Sequence, residues 1–359
     1  LPGNSDNHKY EFLADVSSFA NSSGGDILYG VREKREQGQP TGIPEAADGL
    51  NEISADADKL RLENIIRDGL APRVPNVSIV SITGFKDGPI ILVRIPNSWI
   101  SPHMINKKDS RFYSRNSAGK YPLDVAEIRS AFALSESLPD KIRRFRDDRV
   151  ARIVAEDTPV KLSGSGRVIL HVLPIAALDP TTHIDTASLT GKFLSGIYLE
   201  NNDFRHNFDG YLMSRHPQKS PIFGSYVQVF RTGAIEAVDS CSTRPYNGKK
   251  FIAGNYFVKH VSSALNSYLE QEEELQLQPP LFVMLSLVGV MGYKMYSGTF
   301  SDENHPVDRD TLFLPDIIVE SYGTPATTLF RPAFDALWQA GGFERSPSYD
   351  KNENWKKTY

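Results

Sequence analysis

The stretch Phe12-Leu13-Ala14-Asp15-Val16-Ser17-Ser18-Phe19-Ala20-Asn21-Ser22-Ser23-Gly24-Gly25-Asp26-Ile27-Leu28-Tyr29-Gly30-Val31 decides how the N-terminal part of this chain is read. Phe12, Val16, Phe19 and Ala20 fall at i, i+4, i+7 and i+8, so a helix is predicted over 8–22. Gly24-Gly25 follows at once, where glycine lets the chain take positive φ after the last turn. Asp26 to Val31 then reads as a strand. Asn21 stands where the helix ends and its amide can bond the turn backbone. Gly25 either turns N–H groups toward a phosphate or simply permits a sharp turn.

Working outward, a polar loop with Gly38, Pro40 and Gly42 comes next. A second helix is expected from Asp58 to Leu70, with Leu62, Ile65, Ile66 and Gly69 on one face, before Pro72 and Pro75. Val77–Ile82 and Ile90–Ile95 flank a Gly-rich turn as a hairpin. Arg111 to Arg115 reads as a short strand. Asp124 with Glu127 three residues on is a capping-box pattern, opening a helix whose core face is Val125, Ile128 and Phe132. These elements predict a compact α+β domain over 1–137.

Residues 138–157 read as a basic connecting helix, crowded by Lys141, Arg143, Arg144, Arg146, Arg149 and Arg152. Pro159 and Ser163-Gly164-Ser165-Gly166 suggest a boundary. Strands are then expected at Val168–Leu173, Phe193–Leu199, Gly210–Met213, Leu281–Val290 and Leu312–Val319. Tyr226–Arg231 and Ala234–Val238 form a hairpin around Thr232-Gly233. Helices are expected from Asn255 to Glu274 and from Pro325 to Ala340, the latter around Phe330, Phe334, Leu337 and Trp338. The tail from Ser346 reads as loose. Residues 158–359 are thus an unidentified α/β domain with a mixed sheet and a loose C-terminal tail.

Composition bounds the rest. A chain of 359 residues, 40% hydrophobic and 23% charged, is ordinary globular protein of one large or two normal domains. With Cys241 alone, no internal disulfide forms, which suggests a cytoplasmic protein. The sequence has no run of about 18 apolar residues, so no membrane partner is expected. It starts at Leu1-Pro2-Gly3, and a natural start upstream is expected. The net charge of −4 gives no global basic field, so any polyanion surface must be local.

The segment from Phe12 to Val31 resembles the Schlafen-type, Alba-like (AlbA) nucleic-acid-binding domain family, whose helix ends in V-S-x-F-A-N before G-G and a strand ending in G-V. Asn21, Gly24, Gly25 and Gly30 carry the match. Gly38 to Gly42 and Arg111-Phe112-Tyr113-Ser114-Arg115-Asn116 agree with later family segments. The resemblance covers about residues 8–135. It implies an Alba-like domain that binds RNA or DNA. It also raises a metal-dependent endoribonuclease acting on structured RNA such as tRNA, in prokaryotic stress or phage defence. Such a nuclease would hold Mg²⁺ or Mn²⁺ on carboxylates. The family's paired glutamates, expected before the first helix, have no counterpart here. Its third acid falls at Arg32-Glu33, leaving Glu33 as the candidate catalytic and metal-binding residue, against a plain solvated loop charge.

The candidate nucleic-acid surface is Lys107, Lys108, Arg111, Tyr113, Arg115 and Lys120, where Arg111, Tyr113 and Arg115 would share one strand face. Guanidinium groups grip phosphate and a ring stacks on a base. The competing reading is a half-buried strand with paired arginines. Arg143 and Arg144 form a second candidate patch, against a solvated linker. No G-x-x-x-x-G-K-[ST] phosphate loop is present, so no ATP site is expected. A rival reading is a non-enzymatic homo-oligomeric assembly or sensor protein whose second domain binds a partner or ligand.

Overall fold

In the computed structural model, residues 1–36, 38–51, 54–107, 109–198, 200–215, 223–245, 247–296 and 305–356 are described. The chain divides into two compact units, Leu1–Pro139 and Asp140–Tyr359.

The first unit runs α1 (Asp6–Ala20), β1 (Gly25–Tyr29), β2 (Val31–Glu36), β3 (Gln39–Ala47), α2 (Ala55–Gly69), β4 (Leu70–Ala71), β5 (Ser78–Phe85), β6 (Gly88–Ile95), β7 (Met104–Ile105), β8 (Tyr113–Asn116), β9 (Gly119–Pro122) and the first part of α3 (Val125–Val154). The hydroxyl of Ser5 caps α1 by accepting the His8 N–H, and Asp6 in the first turn favours the helix dipole. β1, β6 and β5 form an antiparallel sheet in the order β1-β6-β5. Its inner row, Ile27–Val93–Ile79, meets Leu13, Val16, Leu62 and Ile66 from the two helices. The next row outward, Leu28–Leu92–Val80, leaves Leu28 and Val80 about half exposed.

Several local expectations are corrected here. The stretch after Val31 is the β2–β3 hairpin rather than a loop. Alternation of charged residues on a two-stranded ribbon exposed on both faces leaves no apolar signal to read. The predicted core face of the next helix is solvent-facing at Val125 and Phe132. The capping box itself is formed, with the Glu127 N–H donating to Asp124 and the Asp124 N–H to Glu127. α3 continues past Pro139, so the basic stretch is no separate connector: from Asp140 on it belongs to the second unit.

The second unit holds β10 (Arg167–Pro174), β11 (Asp203–His206), β12 (Gly210–Arg215), β13 (Ser225–Phe230), β14 (Ile235–Asp239), β15 (Phe251–Ala253), α4 (Gly254–Glu274), β16 (Leu281–Val288), β17 (Lys294–Tyr296), β18 (Thr311–Phe313), β19 (Ile317–Val319), α5 (Ala326–Leu329) and α6 (Arg331–Ala340). Its main sheet is ordered β11-β12-β13-β14-β10-β16-β18, with β19 also on β16. Every pair in it is antiparallel, which corrects the expected mixed sheet. β10 and β16 are buried along their whole length. A strand covered on both faces is apolar throughout whichever way its neighbours run, so the sequence did not carry this distinction. Val258, Val261, Leu265, Phe330, Phe334 and Trp338 cover one face. Val150 and Ile153 of α3 pack with Ile169, Tyr226 and Val238 on the other.

Phe193–Tyr198 forms no strand, and Leu199 lies outside the described residues. The predicted strand over 312–319 is broken into β18 and β19. The tail is not loose over its described part: Ser346 and Tyr349 are buried, and Tyr349 meets Trp355 edge to face at 5.5 Å. No described helix is long and apolar enough to cross a membrane.

Candidate nucleic-acid interface

Geometry at the C-terminus of α1 explains the motif residues. The Asn21 amide donates to the carbonyls of Tyr113 (2.8 Å) and His103 (3.1 Å), and its oxygen accepts the His103 N–H at 2.7 Å. One side chain thus ties the helix to the segment before β7 and to β8. The buried Ser17 hydroxyl adds a bond to the His103 carbonyl at 2.8 Å. Gly24 has φ +74°, and a Cβ there would come within 2.7 Å of the Asn97 nitrogen and 2.8 Å of the Ile95 carbonyl oxygen. A Cβ on Gly25 would strike the Phe19 ring at 2.3 Å. The Gly30 carbonyl accepts the Gly49 N–H at 2.9 Å. These four positions hold the scaffold together, and of the two readings of the glycine turn the tight connection has direct support.

The predicted cationic residues separate on the structure. Tyr113 and Arg115 lie on one face of β8, as the period of two requires, but that face meets α1. The Tyr113 hydroxyl bonds the Tyr10 hydroxyl at 2.9 Å, and Tyr10 also donates to Asp109 at 2.7 Å. Burial and these bonds push the Tyr10 phenol well above its usual range. The Arg115 guanidinium stacks 3.7 Å from the Phe19 ring centre. Arg111 precedes the strand, so it does not share the face, and its Nε lies 2.6 Å from an Asp109 carboxylate oxygen. Lys120 is held by Glu11 at 2.9 Å and Asp15 at 3.1 Å. Partial burial works against its charge, but the two carboxylates prevail and raise its pKa. Lys108 lies outside the described residues. Arg143 pairs with Asp140, and Arg144 is exposed with no carboxylate partner among the described residues.

Lys107 stands elsewhere, on a groove of about 500 Å³ between α1 and α2. Lys9, Arg61, Asn4, Asn64 and Asp68 also line it. Arg61 is anchored by Asp58 and the Pro2 carbonyl, and Arg67 takes up Asp68. Neither Lys9 nor Lys107 has a carboxylate partner within ion-pair distance among the described residues, and the groove's own carboxylate, Asp68, is paired with Arg67. Sequence reasoning missed Lys9, Arg61 and Asn64: they converge only through the α1–α2 packing, and no local spacing announces that.

Glu33 sits on β2, where its carboxylate accepts the Gly42 N–H across the hairpin. The neighbouring acids Glu45 and Asp48 are engaged by Arg32. Among the described residues no three His, Cys, Asp or Glu side chains converge as a metal site would need. The donors around Glu33, one carboxylate tied to a backbone N–H and two tied to Arg32, do not fit a carboxylate-held Mg²⁺ or Mn²⁺.

Residues 2–124 match the family model described as Schlafen, AlbA_2. The first unit carries a Schlafen, AlbA_2 domain. That match links the AlbA_2 domain to nucleic-acid-related function. No curated protein and no solved structure matches the chain.

Proposed function

We propose that the chain is a nucleic-acid-binding protein whose AlbA_2 domain holds the phosphate backbone in the α1–α2 groove. One observation carries this reading: Lys9 and Lys107 line a single groove, the groove's Asp68 is paired with Arg67, and neither lysine has an ion-pair partner among the described residues. In an acidic protein, two uncompensated ammonium groups at one concavity are a local polyanion site. Asn4 and Asn64 supply amide groups beside them, suited to phosphate or sugar oxygens. Arg111, on the same loop as Lys107, contributes after releasing the exposed Asp109. Lys120 and Arg115 act on the scaffold.

The test is fluorescence anisotropy with labelled tRNA and with single-stranded RNA and DNA. Lys9→Ala with Lys107→Ala weakens binding about tenfold at moderate salt, as loss of two phosphate contacts implies. Lys120→Ala leaves it nearly unchanged. Equal losses from both variants would refute the assignment of the groove.

The outer face of the β1-β6-β5 sheet favours a second, compatible reading, a homo-oligomer. Leu28, Leu92 and Val80 form one apolar row there, and Ile82 extends it, bordered by the Asp26–Arg94 ion pair. On a two-fold arrangement this pair lets each Arg94 face a second copy's carboxylate, so the surface is self-complementary in charge.

A further inference from the structure

From Ser240 to Leu269 the sequence contains Arg244, Lys249, Lys250, Lys259 and His260, and no aspartate or glutamate. For a chain with 44 acidic residues in 359, an acid-free stretch of this length is a strong local bias. The fold gathers part of it on the small parallel ribbon β15–β17, which is not hydrogen-bonded into the main sheet.

The pleat decides what that ribbon presents. Ile252 and Met295 face each other in register and are buried, at 0% and 1% exposure. Phe251, paired with Lys294, and Ala253, paired with Tyr296, therefore lie on the opposite face. The Phe251 and Tyr296 rings are 5.7 Å apart at their centres and both half-exposed. Lys250 precedes Phe251, is exposed, and its carbonyl accepts the Lys294 N–H at 3.2 Å. Neither Lys250 nor Lys294 has a carboxylate partner among the described residues. Asp308, close in sequence to the Pro306 that bridges Lys294, is engaged by Arg309. The first turn of α4 adds Tyr256, 63% exposed and stacked on His260, with exposed Lys259 beside it.

We propose that the second unit carries its own site for single-stranded nucleic acid, with bases stacking on Phe251, Tyr296 and Tyr256 and phosphates held by Lys250, Lys294 and Lys259. The Lys250 ammonium lies 5.7 Å from the Tyr293 ring centre, and no described carboxylate pairs with it or with Lys294. Rings interleaved with such lysines suit a strand whose bases are free, because every base has a face to stack while its phosphates follow the cations. A double helix offers no base faces to such a ribbon. An anionic membrane would use the lysines but gain little from rings set in a pleated, half-buried row. This site is independent of the α1–α2 groove.

The experiment uses the full chain with Lys9→Ala and Lys107→Ala in every arm, which weakens the first site equally throughout, so that differences between arms read the second unit. The probes are fluorescein-labelled oligothymidylate and phosphatidylserine vesicles. Oligothymidylate binding is expected to persist in this background. Adding Lys250→Glu with Lys294→Glu then lowers the slope of log affinity against log salt by about 1.4 or more. Adding Phe251→Leu with Tyr296→Leu, which keeps apolar volume and removes the rings, weakens binding by about fivefold or more. Melting temperature checks that each variant is folded. The proposal is overturned if the background binds no oligothymidylate, if the charge reversal leaves the slope unchanged, if the leucine pair binds as tightly, or if vesicles bind and oligothymidylate does not.

Discussion

Single side chains show why the shared motif reads as it does. Asn21 makes bonds to both the His103 backbone groups and the Tyr113 carbonyl, so its removal leaves several of them unpaired in a part-buried place. Asn21→Ala is expected to cost about 2–3 kcal/mol in urea unfolding, from the desolvation of groups left without partners. The fraction that remains folded should still bind nucleic acid, since the amide is turned inward. Gly24→Ala faces both positive φ and backbone atoms closer than any Cβ tolerates, and is expected to destabilise by about 1–3 kcal/mol in the same assay. Glu272 poses a different problem. It is 0% exposed, neither carboxyl oxygen has a hydrogen-bond partner among the described residues, and burial drives its pKa well above 4.5. Below that ordinary value both folded and unfolded chains hold the proton, and the group contributes nothing to pH dependence. Above it the unfolded chain ionises while the fold keeps its proton, so stability falls as pH rises, by up to about 1.4 kcal/mol per pH unit. Glu272→Gln should flatten that part of the stability curve and be more stable than wild type at pH 8. A variant with the wild-type slope would contradict this account of the carboxyl.

Elements carry the next set of consequences, and α3 is the instructive one. Its arginines look like a solvated linker face in sequence, and Arg143 and Arg144 do lie outside. Arg149 does not: its guanidinium makes two 2.7 Å bonds to Glu236, which also accepts from His171 at 3.1 Å and Tyr226 at 2.8 Å. Full burial alone would raise the Glu236 pKa, but Arg149 and His171 outweigh it and bring it to about 2. That stabilisation is fully present above the ordinary value of 4.5 and disappears as pH falls from there toward about 2. Arg149→Ala strands a buried carboxylate and should cost about 3–5 kcal/mol at neutral pH. Adding Glu236→Leu should recover much of it. A double variant no better than the single one would mean that Arg149 acts through packing on Phe230 rather than through charge. The same helix shows where sequence reading ran out. The capping box at Asp124 was legible as a start. Which arginine meets an acid 87 residues away was not, because it depends on the register of β14 against β10.

Across the whole molecule, the motif from Phe12 to Val31 was readable because its meaning is local: a helix, a tight turn and a strand within twenty residues. The positions of most strands in the second unit were readable from their apolar runs. Their antiparallel order was not, since buried strands lose the alternation that marks direction and exposure. The groove was the least readable part, as it joins residues 9, 61 and 107 through the packing of two helices. The half-exposed apolar row of the β1-β6-β5 sheet also belongs to this scale. If copies associate through it, Val80→Asp should shift the mass found by light scattering to that of one chain, and an oligomer that survives the change would place the interface elsewhere.

The claim on which most depends is that Lys9 and Lys107 neutralise phosphates in one groove. Its most direct test is the salt dependence of tRNA binding by the wild type and by Lys9→Ala with Lys107→Ala. Removing the two ammonium groups should reduce the slope of log affinity against log salt by about 1.4 to 1.8. Parallel lines for the two proteins would contradict it.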